Sequence, residues 1–162
     1  MNELLVFGIG NRLMMDDGIG VLVVEALRDR NKNSFIQYIV GETDINYCIG
    51  KLENKSNIVI IDAAKLDKKP GVVTVIPLEK LSVINGISLS IHEAHLLTEI
   101  TLLNKNIQGS LIAIEPFEIN YGIGLSSNLN TYFRCIVDEI GCIIDIHFNS
   151  IKNRQLEYPV SE

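Results

Sequence analysis

The stretch GIGNRLMMDDGIG, residues Gly8 to Gly20, joins an apolar run to an amphipathic one. Leu4 to Phe7 precedes it and has the length and composition of a buried strand, whereas apolar residues after it recur with helical periodicity. The stretch therefore predicts a strand-to-helix connection in which the acidic pair Asp16–Asp17 stands where the helix begins. In an open α/β sheet such a connection lies at the carboxyl end of a strand, where ligands bind.

Outward from this connection, strand and helix patterns alternate along the chain. Apolar runs predict strands over residues 4–7, 35–40, 57–63, 71–77 and 110–114, and helical periodicity predicts helices over residues 17–30, 44–52, 93–104 and 127–148. This alternation predicts a three-layer α/β sandwich, with a mostly parallel, twisted five-stranded sheet flanked by helices on both faces. We expect a single domain over residues 1–148 and a polar C-terminal tail over residues 149–162.

Composition and charge exclude several classes of partner. The 162 residues have a net charge of −6, which disfavours nucleic acid and anionic membranes, because both attract clustered Lys and Arg. No apolar run reaches the roughly 20 residues of a membrane-spanning helix, and no secretory signal pattern is visible. The cysteines, Cys48, Cys135 and Cys142, form no CxxC pair and are interpreted as small core residues. We therefore expect a cytoplasmic protein, with a monomer as the simplest state.

The glycines of the connection do not form a dinucleotide fingerprint. The third glycine of that motif belongs at position 13, where Leu13 stands, and the predicted helix begins too late. We interpret Gly8 and Gly10 as the residues that let the backbone turn sharply, with the Asn11 amide holding the loop.

The acidic pair, Asp16 and Asp17, has two interpretations. One is structural: a helix cap with a second acid in the first turn, worth roughly 0.5–2 kcal/mol. The other is chemical: because adjacent carboxylates point in different directions, one caps the helix while the other faces the cleft. The pair by itself leaves both interpretations open.

Two further candidate side chains are predicted at the ends of elements. Asp62 follows the apolar run Ile58 to Ile61, so it lies at the carboxyl edge of the central strand, where an unpaired charge is costly. His92 shares a helical stripe with Leu96 and Ile100, so it faces the sheet at the start of the predicted helix. The structural alternatives are a loop cap for Asp62 and a core histidine for His92.

Together, Asp17, Asp62 and His92 form a candidate metal site. Two carboxylates and an imidazole suit nickel, zinc, cobalt or manganese, and three protein ligands leave positions open for a substrate. His95 follows His92 by three residues, whereas the HExxH zinc motif needs four, and we interpret His95 and His147 as surface or core residues.

The motifs around these residues resemble those of the nickel–iron hydrogenase maturation endopeptidases. GIGNRLMMDDGIGVLVVEAL is similar to that family's N-terminal signature, in which a glycine loop leads into an acidic pair and G-x-G. The motifs VIIDA around Asp62, SIH ending at His92 and IEPFEINYGIGLS over residues 114–126 follow in the family's order and at its spacings. The resemblance covers nearly the whole chain except the tail and implies a five-stranded sheet flanked by helices.

The resemblance also implies an activity and a site. The family's metal-contacting residues correspond to Asp17, Asp62 and His92, which are also the implied catalytic residues, although the first is usually a glutamate. The implied activity is removal of the C-terminal extension from a hydrogenase large-subunit precursor, the protein partner, after nickel insertion. The nickel, for which zinc or cadmium can substitute, is carried by the substrate and recognised at this site. The chain offers no Ser–His–Asp or Cys–His constellation, so we expect no covalent nucleophile.

Two alternatives belong to other functional classes. A receiver-like phosphoacceptor domain also has acids after its first strand and an aspartate at the end of its third. Here, however, the acidic pair comes well after the strand, and no lysine closes the strand at Ile114. A non-catalytic metal- or partner-binding relative of the endopeptidases is the second alternative.

Overall fold

In the described part of the chain, five β-strands form one sheet. The computed structural model describes residues 3–52, 55–81, 96–100, 102 and 107–157. The strands are β1 (Leu4–Ile9), β2 (Ile36–Glu42), β3 (Asn57–Ala63), β4 (Val73–Pro77) and β5 (Gln108–Ile114). Their order is β2-β1-β3-β5-β4, and each neighbouring pair is parallel except β4 and β5, which are antiparallel. The predicted mostly parallel α/β sheet is confirmed.

The strand order distinguishes this fold from a receiver-like domain. Receiver-like domains have the order β2-β1-β3-β4-β5, in which the fourth strand lies next to the third. Here β5 takes that inner position and the antiparallel β4 lies at the edge. The receiver-like alternative is therefore wrong.

Helices cover both faces of the sheet. They are α1 (Ile19–Arg30), α2 (Ile45–Lys51) and α3 (Ser127–Glu157), and residues 96–100 and 102 are helical as well. Short 3₁₀ turns precede α1 at Met15–Gly18 and follow β4 at Leu78–Lys80. The rest of the helix predicted over residues 93–104 lies outside the described residues. Within the described residues, no helix is long and apolar enough to cross a bilayer.

The central strands are apolar on both faces and are buried on both. All of β1 is buried, and so is β3 after its first residue. On one face, Val6 and Val59 belong to a core cluster with residues of α1 and α3. On the other, Phe7 and Ile60 belong to a cluster with residues of α2 and the helical residues 96–100. Two-sided burial is typical of parallel strands between helical layers, so the predicted three layers are confirmed.

Two helix boundaries differ from the prediction by two residues or more. α1 begins at Ile19 rather than at residue 17, because the preceding residues form the 3₁₀ turn. α3 continues to Glu157, whereas the sequence predicts an end at residue 148. Ile151 is only 5% exposed and belongs to the same core cluster as Ile144, so burial favours the longer helix. The prediction of a tail beginning at residue 149 is therefore wrong for residues 149–157.

Helix α2, Ile45–Lys51, lies within the range of residues that its sequence predicts. The Tyr47 N–H donates to Asp44 Oδ1 at 2.9 Å, so Asp44 caps the helix. Cys48 is fully buried, and loss of solvation, with the nearby Asp44 charge as a smaller cause, raises the pKa of its thiol to about 12. Cys135 and Cys142 are exposed on α3, so the prediction of core cysteines is wrong for these two.

The first turn of α1 packs directly on the ends of two strands. A β-carbon on Gly20 would lie 2.2 Å from the carbonyl oxygen of Ile61 and 2.6 Å from that of Ile9, so only glycine allows this approach. From β1 the chain continues to one side of the sheet, and from β3 it continues to the other. The carboxyl ends of β1 and β3 therefore meet where α/β folds bind ligands.

Candidate functional site

The backbone of Asp17 and the side chain of Asp62 meet at Gly10, just beyond β1. Gly10 has a φ of 130°, and a β-carbon there would lie 1.9 Å from the Asp17 carbonyl oxygen and 3.3 Å from Asp62 Oδ1. Any other residue would collide with the Asp17 backbone, which agrees with the predicted sharp turn at this glycine. Gly10 thus lets the connection that contains Asp17 lie against the end of β3.

Asp62 lies where the sequence predicts, at the carboxyl edge of the central strand. Its side chain is 0% exposed, and Oδ1 accepts a hydrogen bond from the Ala63 N–H at 2.7 Å. A buried carboxylate loses its hydration, and hydrogen bonds or a cation must offset that loss. Asp62 is buried at the carboxyl edge of the sheet, where hydrogen bonds from the protein and a bound cation would both stabilise its charge.

Asp17 lies in the 3₁₀ turn and is partly exposed. Its Oδ2 accepts a hydrogen bond from the Asn11 N–H at 2.9 Å, and Asn11 Oδ1 accepts one from the Leu13 N–H at 2.9 Å. These bonds orient the Asp17 carboxylate and confirm that the Asn11 amide holds the loop. Within the described residues, α1 has no side-chain cap hydrogen bond, so Asp17 does not cap it.

Asp16 joins the connection to the loop between β5 and α3. Its fully buried carboxylate accepts at Oδ2 from the N–H groups of Phe117 (3.0 Å) and Glu118 (2.8 Å), and from Ser126 Oγ (2.8 Å). Its Oδ1 accepts from the Ser126 N–H at 2.7 Å. The prediction that one aspartate of the pair caps α1 is therefore wrong, because this loop satisfies the Asp16 carboxylate with charge-assisted bonds.

Sequence patterns did not indicate this role of Asp16 or of Ser126. The bonded residues are 101 to 110 positions apart, and no local periodicity reports a contact at such separation. The available signal was the motif IEPFEINYGIGLS, which contains Phe117, Glu118 and Ser126. The motif alone does not indicate that these residues bond to Asp16.

Backbone hydrogen bonds hold these two loops together as a rim beside Asp17. The Met15 N–H donates to Gly122 O at 3.0 Å, and the Gly122 N–H donates to Leu13 O at 2.9 Å. Four large apolar side chains on this rim are exposed: Leu13, Phe117, Tyr121 and Ile123. Tyr121 is 83% exposed and Ile123 is 89% exposed. Clustered exposed apolar side chains are typical of a surface that binds another protein.

Arg12 fastens the connection to α1 and to the end of β2. Its guanidinium pairs bidentately with Glu25, at 3.0 Å for Nη1–Oε2 and 2.6 Å for Nη2–Oε1, and Nε donates to Glu42 Oε1 at 2.7 Å. The hydrogen bond with Glu25 raises the pKa of Arg12 and lowers that of Glu25. Both side chains of the Arg12–Glu25 pair are 33% exposed, so the pair stabilises the fold by about 1 kcal/mol or less. Its main effect is to orient the connection.

The predicted third ligand, His92, lies outside the described residues, and so does His95. Within the part of the chain that the structure describes, no group of three or more His, Cys, Asp and Glu side chains is arranged to hold a metal ion. The two carboxylates on this edge, with an imidazole, would form a donor set suited to borderline metals such as nickel or zinc. His147 is half-buried on α3, which agrees with its interpretation as a surface or core residue.

Comparison with known proteins identifies hydrogenase maturation proteases among the relatives of this chain. The family model HycI, hydrogenase maturation protease, matches residues 21–141. The chain is 25% identical over 146 residues to the hydrogenase 2 maturation protease of Escherichia coli K12, covering 85% of this chain and 88% of that protein. It is 29% identical over 119 residues to a putative hydrogenase maturation protease of Methanocaldococcus jannaschii, covering 72% and 77% of the two chains.

Solved structures have the same fold. The hydrogenase maturating endopeptidase HybD of E. coli superposes with a TM-score of 0.73 at 24% identity, over 85% of this chain and 89% of that one. The HybD maturation protease of Thermococcus kodakarensis superposes with a TM-score of 0.67 at 28% identity, over 87% and 98%. The family model spans residues 21–141, which is more than half of the length of this chain. This chain therefore belongs to the hydrogenase maturation protease family.

Proposed function

We propose that this chain is an endopeptidase that removes the C-terminal extension of a nickel–iron hydrogenase large-subunit precursor after nickel insertion. Membership of the hydrogenase maturation protease family supports the activity. The observation that supports the site most directly is the fully buried Asp62 carboxylate at the end of β3, beside Gly10 and the Asp17 backbone. His92 is the third member of the proposed site.

In this proposal the nickel is part of the substrate. Asp17, Asp62 and His92 contact the nickel already bound in the precursor, which holds the scissile peptide bond at the sheet edge. The metal or a carboxylate then polarises the attacking water or the peptide carbonyl. Zinc or cadmium, which accept similar ligands, should compete for the same side chains.

The hydrogen bonds of the Ser126 hydroxyl and the burial of the Cys48 thiol support attack by water rather than by a covalent nucleophile. Ser126 Oγ donates to Asp16 Oδ2 and accepts from the Leu129 N–H at 3.2 Å, so it has a structural role. Cys48 is buried with a raised pKa, so it is a neutral thiol at physiological pH, and the thiolate is the reactive form.

A protein substrate agrees with the exposed apolar rim. Tyr121 and Ile123 lie on the loop that Asp16 and Gly122 fasten beside Asp17. Binding a precursor would remove these side chains from water, which favours docking by roughly 25 cal/mol per Å² of apolar surface.

The proposal is tested by cleavage of a nickel-loaded precursor, followed by the change in its mobility on a gel. Asp17→Asn, Asp62→Asn and His92→Ala should each slow cleavage by about a hundredfold or more, because each removes a group from the reacting centre. Asp29→Asn, on the exposed face of α1, is the matched control and should cleave at the native rate. Circular dichroism establishes that each variant is folded.

Asp17→Glu tests whether side-chain length at position 17, where the family usually has glutamate, affects the cleavage rate. It keeps the charge and adds one methylene, so it should retain or raise the cleavage rate. Native-rate cleavage by two of the three charge- or imidazole-removing variants would refute the site. Loss of cleavage in Asp17→Glu would mean that this chain uses another geometry.

A second candidate function is non-catalytic binding of a hydrogenase subunit or metal. It is favoured by the 27% identity over 152 residues to a coenzyme F420 hydrogenase subunit delta of Methanothermobacter thermautotrophicus. Co-purification with the precursor without any cleavage, in the presence of nickel, would support this candidate over the endopeptidase.

A further inference from the structure

The outer edge of β2 forms a groove between two helices. The groove has a volume of about 420 Å³, and residues 36–40 of β2 form its floor. Arg28 and Asn31, at the end of α1, form one wall, and Tyr47 and Lys51 of α2 form the other. Because β2 is the outermost described strand on this side of the sheet, the floor of the groove is a strand edge.

The register of β1 and β2 determines which backbone groups of β2 point into the groove. The Leu4 N–H donates to Phe35 O at 2.9 Å, and Leu4 pairs with Ile36 in the parallel ladder. Bonding groups alternate along a parallel strand, so residues 35, 37 and 39 bond to β1. The N–H and C=O groups of residues 36, 38 and 40 therefore point outward.

Neighbouring residues already satisfy the outward groups of Ile36. Its N–H donates to Asn33 O at 3.2 Å, and its carbonyl accepts from Asn31 Nδ2 at 2.9 Å. The outward groups of Tyr38 and Val40 come next along the groove. They offer two donor–acceptor pairs, two residues apart, which is the pattern that an added strand uses.

The surroundings of the groove are positively charged, although the whole chain has a net charge of −6. Arg28 and Lys51 line the groove itself. An adjoining cavity of about 620 Å³, which shares Asn31 and Tyr38 with the groove, adds Lys32, the acid Asp145, and Arg30, whose guanidinium pairs with Asp138 Oδ1 at 2.7 Å. Among the side chains that line the groove and the cavity, with this partner of Arg30 included, four are basic and two are acidic.

This charge decides between two kinds of occupant. A second copy of the chain, paired edge to edge, would bring Arg28 and Lys51 of both copies together, and like charges in contact disfavour association. An acidic segment of another protein would instead pair its carboxylates with these cations.

We propose that the edge of β2 binds an extended, acidic segment of a partner protein by strand addition. The main chain of the segment bonds to Tyr38 and Val40, and its carboxylates pair with Arg28 and Lys51. A segment bound here would run towards the proposed active site, because Glu42, at the end of β2, accepts a hydrogen bond from the Gly10 N–H at 3.1 Å. The inference does not depend on the proposed cleavage, since no residue of the groove belongs to that site.

The test uses the full ¹⁵N-labelled chain and a soluble peptide of about eight alternating Glu and Val residues. Titration followed by NMR should give saturable binding, with the largest amide shifts and slowed hydrogen exchange at Tyr38 and Val40. A Lys–Val peptide of the same length should bind at least about tenfold more weakly. The Glu–Val peptide N-methylated at alternate residues should also bind about tenfold more weakly or worse, because it cannot form the main-chain bonds.

Variants of the chain separate a local site from overall charge. Arg28→Glu with Lys51→Glu should weaken binding of the Glu–Val peptide by at least about tenfold. Arg134→Glu with Lys152→Glu, both exposed on α3, makes the same change in net charge and should leave affinity within about twofold.

Three results would overturn the proposal. Equal affinity for the acidic and basic peptides would mean that Arg28 and Lys51 do not select an acidic segment. Equal weakening by the two double variants would mean that net charge alone attracts the peptide. A dimer in light scattering, with Tyr38 and Val40 protected from exchange before any peptide is added, would show that a second copy occupies the edge.

Discussion

The adjacent residues Asp16 and Asp17 have different roles. Asp16 is fully buried and accepts four hydrogen bonds from the loop between β5 and α3. Asp17 is partly exposed and accepts one from Asn11 at the turn that crosses Gly10. The first holds two loops together, and the second is available to the edge of the sheet. Changing them separately should therefore separate stability from activity.

Asp16→Asn should lower the free energy of unfolding by about 2–4 kcal/mol, because it removes a buried charge that its donors need and turns an N–H₂ group towards them. Asp17→Asn should lower it by less than about 1 kcal/mol, because that side chain is partly hydrated. Urea unfolding followed by circular dichroism measures both. Similar midpoints for Asp16→Asn and the native chain would contradict the structural role of Asp16.

At the scale of elements, close contacts between the backbones of neighbouring segments position the site. The first turn of α1 lies against the carbonyl groups at the ends of β1 and β3, and Gly20 makes this possible. The Gly10 turn in turn lets the acidic connection lie over the end of β3. A methyl group at either glycine would push the connection away from Asp62.

Two glycine-to-alanine changes in helices should have opposite effects. Gly20→Ala should destabilise the fold by about 2 kcal/mol or more, because the new β-carbon would overlap two carbonyl oxygens. Gly50→Ala in α2, where a β-carbon would have no neighbour within 4 Å, should stabilise it by about 0.5–1 kcal/mol, because alanine favours helix. Thermal unfolding measures both, and a native-like Gly20→Ala variant would contradict the close packing of α1.

At the scale of the whole molecule, the sheet separates two cores and brings distant segments to one edge. One core contains α1 and α3, and the other contains α2 and the helical residues 96–100. The connection with the acidic pair lies at the carboxyl ends of β1 and β3, and the loop after β5 is hydrogen-bonded to it through Asp16. Burial in these cores also controls chemical access to the cysteines.

In the native protein, a thiol reagent at pH 8 should modify Cys135 and Cys142 rapidly and Cys48 only after unfolding. Cys48 is 0% exposed with a pKa of about 12, so it is a neutral thiol that the reagent reaches only when α2 opens. Mass spectrometry of labelled peptides gives each rate. Cys48→Ala should leave the native labelling unchanged, and equal rates at all three cysteines would contradict the packing of α2.

Local sequence determined the elements of this protein and the acids at their ends. NIVIIDA specifies β3 and puts Asp62 at its carboxyl end, because a run of apolar residues and its limit are both local features. Residues 44–52 likewise predict the short helix α2, which spans Ile45–Lys51. Element order then predicted the mostly parallel sheet, since short connections between alternating strands and helices allow few arrangements.

The tertiary structure alone decided what the acids contact. Asp16 and Asp17 are equivalent in the sequence, and a loop about 110 residues away distinguishes them by supplying hydrogen bonds to Asp16. The bonds of Arg12 to Glu25 and Glu42, the antiparallel edge strand β4 and the extension of α3 to Glu157 likewise depend on packing between distant segments. Periodicity reports which residues avoid water, whereas the partner of a buried charge depends on the segment that folding brings beside it.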